Sequence, residues 1–156
     1  MIDVPKALTA IEDAFGDKHH QFRNGYCHDL ALALYMANDR QGELLAGLRT
    51  ETDADGEVGE TIYSHMVYLD PQHNEWDMYG DDATAEWENQ WPEGREDEDG
   101  VTSSFSWEGI EPDEIDQWVK NHGGTMHPDV LEKVLNIAKE FKLEAVNGPS
   151  KRMLKP

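Results

Sequence analysis

From Tyr26 to Ala37 the chain reads YCHDLALALYMA, and this run constrains the fold more than any other stretch. At helical spacing Cys27, Leu30, Ala31, Leu34 and Tyr35 fall on one stripe, and Ala33 and Met36 widen it. A helix that is apolar over so much of its circumference has to be covered from more than one side. The sequence therefore predicts a central helix over residues 27–37, with the other elements packed around it.

Upstream, Pro5 opens an amphipathic pattern over residues 5–15, with Ala7, Leu8, Ile11, Ala14 and Phe15 on one face and Gly16 as its stop. A polar link, DKHHQFRNG, joins the two helices. Downstream, Leu44 to Arg49 reads as a short strand, ETDADGEVGE as a charged turn, and TIYSHMVYL (61–69) as a strand rich in β-branched and aromatic residues. A further short strand, EWDMY (75–79), follows Asp70-Pro71-Gln72-His73, which suits a type I turn, so the two strands form a hairpin. Residues 81–100 are densely acidic, with Arg95 their single base, and read as a solvated loop with a helical turn near Trp87. Val101 to Trp107 reads as another strand. Pro112 opens a helix carrying Ile115, Trp118 and Val119, and Pro128 opens the last one, with Val130, Leu131, Val134, Leu135, Ile137, Ala138 and Phe141 at helical spacing. The pattern predicts an α+β fold in which the Cys27 helix packs on a small antiparallel sheet, with additional C-terminal helices. Residues 1–147 are expected to form a single domain and 148–156 a flexible tail.

A length of 156 residues with 38% apolar content suffices for one core. The 33 acidic side chains against 13 basic ones give a formal charge of −20. Such a surface repels a phosphate backbone or an anionic membrane, so neither nucleic acid nor membrane is expected as a partner. The charge fits simple solubility, adaptation to high salt, or a surface that imitates DNA for a basic protein, and solubility is the simplest of the three. The single cysteine cannot form an internal disulfide, and the sequence holds neither a basic leader nor the roughly 18 apolar residues of a membrane span. A cytoplasmic protein is expected.

The chemistry centres on that cysteine. A thiolate, not a thiol, is the nucleophile, and the first turn of a helix favours negative charge through its unpaired N–H groups and its dipole. Asn24 and Gly25 supply a helix entry and place Cys27 at that turn. With the hairpin centred on Pro71, His65 and Asp77 stand directly opposite one another on one face, where Cβ atoms lie about 5 Å apart. A carboxylate there holds an imidazole in the tautomer needed for a general base. Asp70 competes for that role but falls on the opposite face by strand parity and is expected to serve the turn. Inert packing of Cys27 beside Leu30 and Leu34, and an ordinary strand histidine at 65, are the plain structural alternatives.

The runs GYCHDLALAL, SHMVYLDP and EWDMYG, taken in order, resemble the core of the papain-like and transglutaminase-like cysteine enzymes. In that superfamily a Cys begins a central helix, a His begins a strand, and an Asp or Asn lies on the next strand. The resemblance covers about residues 21–80. It implies Cys27 as nucleophile, His65 as general base and acid, and Asp77 as the orienting group. Gln21, six residues before Cys27, matches the oxyanion-hole Gln of papain-like proteases and by that resemblance would donate to a tetrahedral intermediate. His28 follows the cysteine where papain-type enzymes carry Trp or Ser.

No metal or other cofactor is expected. The histidines lack a ligand pair with zinc spacing, and a metal, were one bound, would fall to Cys27, His65 and Asp77, because one geometry serves either purpose. Glu51, Asp53, Asp55 and Gly56 fit a calcium loop only in part, since Ile62 stands where the bidentate Glu belongs. The expected function is cysteine-dependent acyl transfer on an amide or thioester, as in a peptidase, deamidase, amidase or transglutaminase-like enzyme. Its substrate would be protein or peptide-like, with a basic character. The alternative is a non-catalytic acidic binding protein, an inhibitor or DNA mimic, that docks on a basic partner. Oligomeric state is not legible.

Overall fold

The computed structural model describes residues 1–23, 25–90 and 98–143. Pro5 sits in the first turn of helix α1 (Val4–Phe15), where its fixed φ costs nothing, and the Asp3 carboxylate caps the same turn by accepting from the Lys6 N–H at 3.2 Å. Gly16, at φ 54°, ends the helix. The stretch expected as a polar link is instead a 3-10 helix over Gly16–Arg23. Phe22 accounts for the difference. It is fully buried, edge-on to Phe15 at 4.9 Å and to Tyr26 at 5.6 Å, so one aromatic side chain pins an otherwise polar run to the core.

Helix α2 (Cys27–Ala37) has the expected bounds and the expected central place. Leu30, Ala31, Ala33 and Leu34 are all within 1% of complete burial, because β-strands lie against one side of the helix and the last helix against another. Those strands are β1 (Glu43–Thr52), β2 (Val58–Leu69), β3 (Glu75–Trp76) and β4 (Thr102–Ile110), an antiparallel sheet in the order β3-β2-β1-β4. The architecture is mixed α+β with the Cys-bearing helix on the sheet.

Two features of this sheet place the site. The β2–β3 hairpin pairs Tyr68 with Trp76 and Leu69 with Glu75, so its centre lies one residue past Pro71 and β3 ends at Trp76 rather than Tyr79. Asp70 sets this register: its carboxylate accepts from the Gln72 and Asn74 N–H groups, each at 2.9 Å, and from Trp76 Nε1 at 2.8 Å, with His73 in the left-handed region at φ 70°. The second feature is a bulge in β2. Gly47 pairs with His65 and Leu48 with Tyr63, which leaves Ser64 without a partner and resets the alternation, so Tyr63 joins Met66 and Tyr68 against the core.

Helix α3 (Ala83–Glu88) lies within the acidic stretch, where a helical turn near Trp87 is expected, and it buries Trp87; residues 91–97 of that stretch lie outside the described residues. A 3-10 turn at Pro112–Glu114 leads into α4 (Ile115–Asn121), and Pro128 opens α5 (Pro128–Lys139). The expected tail, 148–156, is also outside the described residues. Among the described residues no helix is long and apolar enough to cross a membrane.

Candidate active site

Cys27 is the first residue of α2, 5% exposed, behind Tyr26 as an N-cap whose side chain makes no capping bond. The first turn of a helix favours negative charge, and the thiol stands in it. From β2, His65 is completely buried, and its Nε2 donates to Asp77 Oδ2 at 2.9 Å. Asp77 is not directly opposite His65, as a hairpin centred on Pro71 would have it. Moving the centre by one residue shifts the pairing by two, which preserves the face, and the carboxylate reaches the imidazole diagonally from just past the end of β3. A bond from the Tyr79 N–H to Asp77 Oδ1, at 2.8 Å, fixes the carboxylate's other oxygen. The Trp87 indole lies flat on the His65 ring, centroids 4.3 Å apart.

These neighbours perturb both members of the pair. Burial pushes the Cys27 thiol up, but His28 and His65, by hydrogen bonding and by charge, outweigh it and bring the pKa to about 5. Burial disfavours the His65 imidazolium, yet the bond to Asp77 and the adjoining thiolate prevail and lift it to about 9. Both shifts run in the direction that favours a thiolate beside an imidazolium. His65 Nδ1 is buried and has no well-aligned hydrogen-bond partner among the described residues.

A second set of groups approaches the thiol from the other side, and the sequence reading did not single it out. Tyr63 Oη lies 3.5 Å from Cys27 Sγ and 2.9 Å from His28 Nδ1. His28 Nε2 lies 2.7 Å from the Thr125 carbonyl, which can only accept, so Nε2 carries the hydrogen and Nδ1 of the neutral ring accepts from the Tyr63 hydroxyl. The loop that supplies Thr125 folds tightly over α4 because residue 124 is glycine: a Cβ there would sit 2.8 Å from Val119 Cγ1. Asp29, also in the first turn of α2 and fully buried, holds the same loop by accepting from the His127 N–H at 2.8 Å and its Nδ1 at 2.9 Å. Burial pushes the Asp29 carboxyl up, and the His127 contacts oppose it. Strand alternation would put Tyr63 on the face of His65, and the bulge at Ser64 moves it to that of Met66 and Tyr68, so its approach to the thiol was not legible from spacing; the loop contacts of His28 and Asp29, about a hundred residues away in sequence, had no local signal either.

His28, Asp29 and His127 offer metal-ligand atoms within 4.8 Å of one another, a set different from the Cys27, His65 and Asp77 weighed from sequence. Each atom is already engaged, His28 Nε2 with Thr125 and His127 Nδ1 with Asp29, so the three act as a hydrogen-bonded clamp between loop and helix.

A cavity of about 430 Å³ opens over the thiol, with Cys27, His28, Tyr63, Trp87, His122 and Thr125 in its wall. His65 and Asp77 lie behind that wall. Gln21 is half-buried in the 3-10 helix, where its carbonyl accepts from the Tyr26 N–H at 2.9 Å, and it does not border the cavity. The structure brings Cys27, His65 and Asp77 together and does not bring Gln21 to the cavity wall. Compared with protein-family models, with curated proteins and with solved structures, the chain matches none of them.

Proposed function

We propose that this protein is a cysteine-dependent acyl-transfer enzyme in which the Cys27 thiolate attacks the carbonyl of an amide or thioester. The observation that carries this reading is the Cys27–His65–Asp77 arrangement: a helix-start thiol brought to a pKa of about 5, beside an imidazole bonded at 2.9 Å to a buried carboxylate. A cysteine buried only for packing would have its pKa raised. In this reading His65 takes the thiol proton and remains as the thiolate's counter-ion, Asp77 orients it, and the first-turn amides of α2 stabilise the oxyanion of the tetrahedral intermediate. The choice of acceptor in the second step, water or an amine, separates hydrolase from transferase.

The net charge of −20 favours a basic protein or peptide-like substrate, and a lone cysteine suits a reducing, cytoplasmic setting. Incubation with p-nitrophenyl acetate tests the reading: a burst of p-nitrophenolate equal to the protein present, with one acetyl group on Cys27 by mass spectrometry, is expected, and Cys27→Ser abolishes both. Modification no faster than that of a free cysteine at the same pH contradicts it. The exposed acidic tip of the β1–β2 hairpin, with Asp53, Asp55, Glu57 and Glu60, favours a second reading, a non-catalytic acidic binding protein for a basic partner. That reading requires Cys27→Ser to keep its full biological effect.

A further inference from the structure

Acyl transfer from an amide needs a proton for the departing group, and the geometry limits where that proton comes from. His65 is completely buried and lies behind the cavity wall, with Asp77 on one nitrogen and Trp87 over its face. Tyr63 and His28 are in the wall itself, and Tyr63 Oη is the polar group 3.5 Å from the sulfur. The Thr125 carbonyl at 2.7 Å keeps a hydrogen on His28 Nε2 in both charge states, so every protonation change of this ring takes place at Nδ1, the nitrogen 2.9 Å from Tyr63 Oη.

We propose, resting on the acyl-transfer reading above, that Tyr63 and His28 form a second proton-transfer arm, in which the Tyr63 hydroxyl delivers the proton to the leaving group and His28 replenishes it. In the first step the Cys27 sulfur bonds to the carbonyl carbon and the carbonyl π pair moves to oxygen. On collapse the bond from carbon to leaving group breaks; the leaving group takes the Tyr63 proton while the Tyr63 oxygen takes the Nδ1 proton of the His28 imidazolium. The products are a thioester on Cys27, the protonated leaving group and a neutral His28. In the second step the acceptor bonds to the carbonyl carbon and gives its proton to the Tyr63 oxygen. The Tyr63 proton returns to His28 Nδ1, and the thiolate departs.

The two histidines then divide the work. His65 stays charged through the cycle as the counter-ion of the sulfur, while His28 gains and loses a proton. Neighbouring charge supports this division: burial and the adjacent thiolate hold the Tyr63 hydroxyl well above its ordinary pKa, so it remains a donor, and contacts with Cys27, Thr125 and Asp29 outweigh burial to raise His28. An acidic thiol also makes the arm necessary. A thiolate whose pKa is about 5 is expelled from the tetrahedral intermediate more readily than an unprotonated amine or phenolate, so forward collapse depends on protonating the other group.

Two aryl acetates separate the roles, one with a good leaving group, p-nitrophenolate, and one with a poor leaving group, phenolate, whose pKa is about 10 like that of tyrosine. Acetylation of Cys27 is followed by mass spectrometry at pH 7 in the full-length protein, its Tyr63→Phe and His28→Gln variants, and His65→Gln. Tyr63→Phe is expected to slow reaction with phenyl acetate at least ~100-fold, the usual scale of general acid catalysis, and reaction with p-nitrophenyl acetate by a far smaller factor. His28→Gln should slow both esters somewhat through its contact with the sulfur and phenyl acetate by a clearly larger factor, which keeps the test valid if Tyr63→Phe does not fold. His65→Gln should slow both esters alike, because it acts on the sulfur. Equal slowing of the two esters by Tyr63→Phe and His28→Gln, or no slowing by either, overturns the arm while fast acetylation of the unaltered protein leaves the cysteine reading standing. If the unaltered protein reacts no faster than a free cysteine, both are wrong.

Discussion

Trp87 stacks on His65 with the two rings 15° from parallel and their centroids 4.3 Å apart, so one residue of the acidic stretch covers the imidazole that Asp77 holds. The contact makes Trp87 a reporter for its neighbour. Raising the pH through the His65 pKa of about 9 removes the positive charge from a ring in van der Waals contact with the indole. The fluorescence difference between the unaltered protein and Trp87→Phe is expected to titrate with a midpoint near 9 and to lose that transition in His65→Gln. A midpoint close to 6.5, the ordinary histidine value, would mean that Asp77 and the thiolate do not act on this ring.

Asp77→Asn tests the carboxylate. The bond to Asp77 raises the His65 pKa, so its loss lowers that pKa and removes the thiolate's counter-ion at neutral pH. Acetylation of Cys27 at pH 7 should fall by at least ~10-fold, and the alkaline end of its pH profile should move down from about 9. An unchanged profile would take Asp77 out of the site.

Asp70 provides the contrast. Its carboxylate closes the β2–β3 turn, and Trp76 and the turn amides hold its pKa low against the effect of burial. A lowered carboxyl pKa stabilises the fold above the unfolded value of about 3.9 and loses that contribution as pH falls through the folded value. Asp70→Ala should therefore cost about 1–3 kcal/mol in urea unfolding at pH 7, leaving several donors unpaired, and the cost should shrink in acid. Cys27 reactivity per folded molecule should not change; a loss would mean that Asp70 rather than Asp77 supports the imidazole.

Much of this arrangement was legible because its determinants are local. The apolar run after Tyr26 has a helical period and no other way to be buried, which gave α2 its observed bounds. His65 and Asp77 could be brought together from turn chemistry alone, and the one-residue error in the hairpin centre was harmless because a shift of two in pairing does not change faces. What the sequence did not reveal depends on distant packing. Phe22 turns a polar link into a 3-10 helix only by finding Phe15 and Tyr26. The bulge at Ser64 depends on pairing with Gly47 and Leu48, and the Thr125–His28 and His127–Asp29 bonds join positions 97 and 98 residues apart.

Asp29 measures how firmly that distant loop is held. Asp29→Ala removes the acceptor from two donors of His127 and should destabilise the fold by about 1–3 kcal/mol, read from urea unfolding. Releasing the loop also loosens Thr125 on His28, so the variant should show the leaving-group dependence of His28→Gln. Unaltered stability would mean that the clamp holds nothing in solution.

The most direct measurement is the rate of Cys27 alkylation by iodoacetamide as a function of pH, since it needs no substrate and reads the thiolate itself. The rate should rise through a pH of about 5 and already be on its plateau at neutrality, with His65→Ala moving the rise upward by removing the counter-ion. A rate that stays low until the pH approaches about 8.5, the value for an ordinary free thiol, and that His65→Ala leaves in place, would contradict the account.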